Sequence, residues 1–419
     1  MAGSFPAGYQ SVEPFCRGLV QSWCDRPSRR TRRHQALPCR DPCGNGERVE
    51  KTVKQHFQTV IVGGGTAGSA AAYLLSRAGI STLVVERSGQ RGWKIGEGLP
   101  PSSSALLRRL GFWERFLADR HLPSHGNRSA WGSKEFAEHN FIFDPNGHGW
   151  HVDREKLDVM LADSAAATGA VRLENTALQE FRKTDTGWEL HLTDGQQIEA
   201  QWVIDATGRS SHFAHRLNIR RTAYDQLVAI AGLYACAHDD DQDSLTMIET
   251  AEDGWWYTAL LPDRKRVFAY LSDGDLAQTK AARAEADWQQ LLMESTQIGR
   301  LIEKHQYQLQ GPPRMVNANS TELSTAVGDG WLAIGDAAAA YDPLSSQGIL
   351  MALGTAVEAT EALLAHLQGD EAALPAYADF MKRMYQEYLS ARDHFYSLEA
   401  RFPHSPFWQR RNNAKRLDP

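Results

Sequence analysis

Two short apolar runs flank an alanine-rich stretch near the start of the chain: Thr59-Val60-Ile61-Val62, then residues 66–78, then Thr82-Leu83-Val84-Val85. Continuous apolar runs bounded by turn residues predict strands buried on both faces, and the alanine-rich segment between them predicts a helix. Residues 102–110 read as a short helix stopped by Gly111, and helical period returns in 153–167, where Leu157, Met160, Leu161 and Ala165 share a face. Segments 177–181, 188–192 and 197–200, separated by Asp185-Thr186-Gly187 and Asp194-Gly195, predict a three-stranded meander. Residues 202–208 predict a buried strand running into a glycine turn. Period-two alternation then marks strands at 228–234, 255–261 and 266–271, followed by a helical stretch over 281–304. A last apolar strand ends at Gly335-Asp336, a long apolar helix covers 349–367, and the final 50 residues are mostly helical in pattern. Residues 1–52 show no sustained period. Their prolines, serines and the cluster Arg29-Arg30-x-Arg32-Arg33 predict disorder, with an organellar presequence or a misplaced translation start as alternatives.

Composition narrows the class without naming a function. The 419 residues are 42% hydrophobic and 23% charged, with a formal net charge of −6, so nothing favours a nucleic-acid partner. The longest apolar runs, such as 227–236, fall short of the roughly 18 to 20 residues of a membrane helix, and no membrane span and a cytoplasmic location are expected. Four of the five cysteines lie in the first 43 residues. Cys39-x-x-x-Cys43 has no matching histidine or cysteine pair at zinc-like spacing, and no metal is expected.

The turn between the first strand and helix reads Gly63-Gly64-Gly65-Thr66-Ala67-Gly68. Gly63 permits the sharp turn, Gly65 lets backbone amides approach a pyrophosphate, and Gly68 allows close packing of helix on strand. The helix start at Thr66 and Ala67 then faces the phosphates. Glu86, 18 residues past Gly68 and followed by Arg87, stands where an acid holds ribose hydroxyls in dinucleotide cradles. Gly335-Asp336 ends a second buried strand. An aspartate there can accept bonds from ribityl hydroxyls, and Gly348 opens a helix whose amides can approach a flavin carbonyl. A simple turn with the aspartate as helix cap competes with that reading.

With Asp205-Ala206-Thr207-Gly208 between them, these motifs resemble glutathione-reductase-type flavoproteins, in the branch of aromatic hydroxylases and flavin-dependent tryptophan halogenases. The resemblance implies an α/β fold: a Rossmann-like FAD-binding domain, an inserted sheet-based substrate domain and a helical C-terminal tail. The expected division is 53–111, 150–222 and 321–369 for the FAD-binding domain, 112–149 and 223–320 for the substrate domain, and 370–419 for the tail. It implies FAD as cofactor, with Gly96 and Glu97 beside the isoalloxazine, Arg154 near FAD, and Asp205, Gly208, Pro343, Gly348 and Ile349 among the binding residues. No second glycine cradle and no redox cysteine pair follows, so electrons are expected from NAD(P)H, from a separate flavin reductase, or from the substrate.

Halogenases of this branch carry Trp-x-Trp-x-Ile-Pro and a reactive lysine. Residues 255–262 here read Trp-Trp-Tyr-Thr-Ala-Leu-Leu-Pro, and Lys134 lacks the family context. Asn127 to Ser133, the Asp342-Pro343-Leu344-Ser345-Ser346-Gln347-Gly348-Ile349 segment and the tail from Glu399 to Trp408 are more similar to LodB/GoxB-type flavoproteins, which mature quinone-containing oxidases. That resemblance implies a monooxygenase that hydroxylates an aromatic group through a flavin C4a-hydroperoxide, with O2 as co-substrate. The implied target is a tryptophan of a precursor oxidase, on the way to a cysteine-tryptophylquinone type of cofactor. The alternatives are a halogenase, a carbon-carbon double-bond reductase, and a non-catalytic flavin-binding maturation partner. Trp131, Trp255, Trp256 and Tyr257 are candidate pocket walls, against the competing reading of ordinary core. His139, His148 and His151 are candidate proton carriers, and no general base is singled out. The aromatic tail and the acidic run 239–243 are candidates for docking a protein, with a solvated charge run as the default for the latter.

Overall fold

The computed structural model describes residues 55–89, 92–236, 238 and 240–413; the disorder expected for 1–52 lies outside the described residues. Gln55–Val62 is the central strand of the first sheet. It pairs in parallel with Gln197–Asp205 on one side and Thr82–Val85 on the other, and the parallel run extends to Val171–Leu173 and Trp331–Ala333. Val60, Ile61 and Leu83 are fully buried because helices Thr66–Arg77, Arg154–Ala167 and Gly348–Leu367 pack together over them. The segments expected separately at 197–200 and 202–208 are one strand, Gln197–Asp205. Its first half closes the meander (Trp188 opposite Ala200) while its whole length pairs with the central strand, so no turn intervenes.

The second sheet is built from Leu227–Ala235, Lys265–Asp273, Gly254–Leu260 and Thr246–Ala251, antiparallel in that order. Gly126–Ala130 then joins in parallel, with Ala137–Asn140 at the edge. Thr246–Ala251 was not expected, since almost every residue in it is buried and no alternation marks it. The helical stretch near 281–304 is interrupted: Glu285–Glu294 and Gly299–His305 are separate helices, and the buried Glu249 carboxylate accepts the backbone N–H groups of Thr296, Gln297 and Ile298 at their junction. These helices cover one face of the sheet. The other face is covered by Tyr396, Phe407 and Trp408, so the aromatic tail lies on the fold's own sheet. Helix Gly348–Leu367 is long and apolar enough to cross a membrane, with a mean hydropathy of 1.4 over its most apolar 18 residues, but 67% of that stretch is buried inside the protein.

Candidate functional site

The glycine turn has the shape its sequence calls for. Gly63 has φ +105°, and a Cβ there would stand 2.3 Å from the Ala206 carbonyl oxygen; a Cβ on Gly68 would stand 1.9 Å from the carbonyl oxygen of Gly63. Around Gly65 a Cβ would meet nothing within 4 Å, so the backbone is open to a ligand there. Gly65 is also the N-cap of helix Thr66–Arg77 and has no side chain to bond the first-turn amides. The Glu86 carboxylate accepts the amides of Gly64 (2.6 Å) and Ser88 (3.0 Å), and with Gly64, Gly65, Arg87 and Arg172 it lines a cavity of about 260 Å³. Arg154 donates to the Gly96 carbonyl (3.0 Å) and to the Thr66 hydroxyl (3.3 Å), while its buried Nε has no partner. A guanidinium with an unsatisfied N–H beside an uncapped helix start fits a pyrophosphate. Asp158, one turn after Arg154, organises this corner: it accepts from Thr66 Oγ1 (2.9 Å) and Lys94 Nζ (2.7 Å). Burial opposes its charge, but Arg154 and Lys94 outweigh that and hold its carboxyl below the usual range.

The second motif packs onto the first. Gly335 has φ +56°, its Cβ position lies 2.9 Å from the Ala67 Cβ, and its amide donates to Thr355 of helix Gly348–Leu367 (2.9 Å). Arg221 fixes the turn from behind by donating to the carbonyls of Asp336 (2.8 Å) and Ala337 (2.9 Å). The Asp336 carboxylate is left half-exposed, 3.5 Å from Arg209 Nε. Pro343 and Gly348 are exposed, with open space at Gly348, whereas Ile349 is buried in the core. Gln347, beside Gly348, is buried with both side-chain amide atoms unpartnered, which suits the polar edge of a ring. Asp342 supports the loop: it accepts from Leu344 N (2.9 Å) and from the Tyr396 hydroxyl (2.8 Å). Burial, with Asp225 adding to it, pushes the Asp342 carboxyl up to about 6. Asp205 plays a different part from a ligand contact. It is fully buried and accepts from Thr207 N, Thr207 Oγ1 and Ala214 N, so it shapes the turn that carries Gly208.

Glu97 sits where the loop after the first βαβ unit meets the second sheet. It is buried, accepts the Tyr257 hydroxyl at 2.5 Å and the Gly96 amide at 2.9 Å, and burial raises its carboxyl pKa despite those bonds. A cavity of about 140 Å³ next to it is lined by Trp93, Lys94, Arg154, Leu233 and Lys265. Strand alternation separates the four aromatic candidates. Trp131, Trp255 and Tyr257 lie on one face, whereas Trp256 points to the other and packs on Tyr270 and Trp288. Trp255 donates to the Tyr396 hydroxyl (3.1 Å) and Trp131 to the Phe395 carbonyl (2.9 Å), and both are covered by the tail, so Tyr257 is the one half-buried member beside Glu97. The histidines are held structurally. His151 donates Nδ1–H to the Leu260 carbonyl and accepts from Thr246, and burial pushes its pKa down to about 4. His148 packs on Trp150, and His139 on Phe141.

Residues 56–390 match the family described as FAD binding domain. The chain belongs to that family. LodB of Marinomonas mediterranea, named as an FAD-dependent oxidoreductase, is 28% identical over 365 residues, covering 85% of this chain and 97% of LodB. Menaquinone reductase of Mycobacterium tuberculosis is 30% identical over 330 residues, covering 74% of this chain and 78% of that protein. Among solved structures, the flavin-dependent halogenase CmlS aligns with a TM-score of 0.74 and 25% identity over 87% of this chain and 69% of its own. QhpG, a peptidyl tryptophan dihydroxylase essential for tryptophylquinone cofactor biogenesis, shares the fold with a TM-score of 0.70 at 23% identity, over 85% of this chain and 78% of QhpG. The protein is therefore an FAD-dependent oxidoreductase whose structural neighbours include a halogenase and a tryptophan dihydroxylase.

Three residues of this site are not evident from the chain alone. Asp158 carries a faint signal, four residues after Arg154 on one helix. Gln347 lies in a segment already singled out, but its unpartnered burial carries no signal of its own, and Tyr396 carries none because its role depends on a contact between distant segments.

Proposed function

We propose that this flavoprotein is a monooxygenase that hydroxylates an aromatic group, and that the group is a tryptophan side chain of a partner polypeptide on the way to a quinone cofactor. The observation that carries the reading is the contact of Glu97 with Tyr257. It sets a buried carboxyl, biased toward its neutral form, where the loop expected beside the isoalloxazine meets the aromatic face of the second sheet. The near-complete coverage of LodB and the fold shared with QhpG support it. In this reading Gly65 and Arg154 hold the pyrophosphate over the turn that Gly63 and Gly68 permit, Glu86 holds the adenosine ribose, Asp336 the ribityl chain, and the backbone around Gly348 the ring edge. Bound FAD, reduced by NAD(P)H or by reduced flavin from a separate reductase, supplies the activation of O2. Glu97 exchanges a proton with the reacting group, and Tyr257 orients its carboxyl. Co-expression with a precursor oxidase, followed by intact-mass analysis and peptide mapping of its tryptophans, tests the proposal. Gain of one or more oxygen atoms at a tryptophan, absent with Asp336→Ala, is the expected result.

Two other chemistries have specific support. The 30% identity to menaquinone reductase favours a reductase, and the likeness to CmlS favours halogenation. The same mass measurement separates them, since a reductase adds only hydrogen to its product and a halogenase adds a halogen.

A further inference from the structure

The acidic run 239–243 does not form a solvated strip in its described part. Asp241 is buried, with Oδ2 2.8 Å from Arg266 Nε and 2.6 Å from the Tyr307 hydroxyl, and Asp243 pairs with Arg128 at 2.9 Å. Asp240 is exposed and turns elsewhere. Its Oδ1 lies 2.7 Å from His305 Nδ1 and 3.3 Å from Cys236 Sγ, and the three donor atoms all lie within 4.8 Å of one another.

We propose that Cys236, Asp240 and His305 bind a zinc ion, with a water molecule in the fourth position. Thiolate, imidazole and carboxylate form a zinc donor set, and three protein ligands with one open position is a common zinc arrangement. Donors bonded to a tetrahedral zinc stand roughly 3.5 Å apart. The two spacings around Asp240 are within about one ångström of that value and the Cys236–His305 spacing is no more than 4.8 Å, so side-chain shifts of about an ångström admit the ion. A second observation points the same way. The other ring nitrogen of His305, Nε2, faces Asp241 Oδ1 at 4.0 Å, and that carboxylate is itself fixed by Arg266 and Tyr307. At 4.0 Å the pair is at ion-pair distance and not hydrogen-bonded; a ring shift of about an ångström brings Nε2–H onto the carboxylate, the usual support of a metal-bound imidazole. Binding displaces the thiol proton, which breaks the Cys236 bond to the His305 carbonyl (3.3 Å), and replaces the Cys236–Asp240 and His305–Asp240 hydrogen bonds, so the two anionic ligands balance the two charges of the ion.

The ligands come from the end of strand Leu227–Ala235, the loop after it, and the last residue of helix Gly299–His305. The ion thus clamps that helix to the edge of the second sheet. This inference is independent of the chemistry proposed above.

The test uses the full chain with Cys16, Cys24, Cys39 and Cys43 changed to serine, so that Cys236 is its only thiol. The metal-free protein is titrated with Zn²⁺ against a chromophoric chelator and, separately, with Co²⁺. One zinc per chain and a cobalt–thiolate charge-transfer band are expected. Cys236→Ser should abolish the band. His305→Ala should weaken zinc by at least the roughly 10- to 100-fold that loss of a supporting partner costs. Absence of zinc uptake, or uptake unchanged by Cys236→Ser, overturns the proposal. If either variant fails to fold, Asp240→Asn at the exposed carboxylate decides between the same outcomes: weakened zinc binding supports the site, and zinc affinity that matches the parent protein overturns it.

Discussion

Alanine substitutions across the cradle separate cofactor binding from folding. At Gly65 the new methyl group meets no protein atom within 4 Å, and the backbone there is extended, with φ −75° and ψ −165°, so alanine fits without strain. The methyl instead occupies the space through which a pyrophosphate approaches the helix start. Displacing one charge-assisted hydrogen bond costs about 1.5–3 kcal/mol, or roughly 10- to 150-fold in the FAD dissociation constant. The apo-protein Tm should stay at the wild-type value. Gly68→Ala is the opposite case, because its methyl would overlap a backbone carbonyl 1.9 Å away; overpacking of this kind costs about 1–3 kcal/mol of stability before any ligand is added. Gly63→Ala adds a φ of +105° to a 2.3 Å overlap and should be worse still. Titration of apo-protein with FAD by fluorescence quenching, beside thermal denaturation of the same samples, reads both quantities. Unchanged FAD affinity in Gly65→Ala, or a fall in its apo Tm to match Gly68→Ala, would refute the reasoning.

Tyr396→Phe leaves Asp342 Oδ2 and Trp255 Nε1 buried with one partner fewer, at a cost of about 1–3 kcal/mol for each group. It also loosens the loop before Gly348, so both Tm and FAD affinity should fall; retention of either value would sink the link drawn between tail and loop. The pH dependence of stability offers a third test. Burial holds the pKa of His151 near 4 in the folded chain against 6.5 unfolded, so the unfolded state binds more protons in that interval. The stability lost through this residue as pH falls from 6.5 to 4 is on the order of 3 kcal/mol. His121 acts in the same direction, whereas Asp342, with its carboxyl raised to about 6, opposes it. His151→Gln should therefore show a shallower acid slope than wild type in chemical denaturation across that range, and equal slopes would contradict a buried neutral histidine.

What could be read from the chain alone was the chemistry of adjacent residues. The turn from Gly63 to Gly68, the return of helical period near Asp153, and the Gly111 stop after Ser103–Leu110 are each specified within a few positions. Contacts made across sheets were not legible. Glu97 and Tyr257 meet over 160 residues, and Cys236 and His305 over 69, so neither spacing carries a signature. Period-two alternation alone places Trp256 opposite its neighbours Trp255 and Tyr257. What it could not show is that helix Glu285–Glu294 buries that face while the chain's own tail buries the other.

The central claim is that oxygen from O2 enters an aromatic side chain of a partner polypeptide under control of this FAD site. The most direct test supplies ¹⁸O-labelled dioxygen to the reduced holoenzyme and a precursor polypeptide, and maps the label by peptide mass spectrometry. The predicted result is ¹⁸O on a tryptophan ring. Product that gains only hydrogen, or oxygen that derives from water, would contradict it.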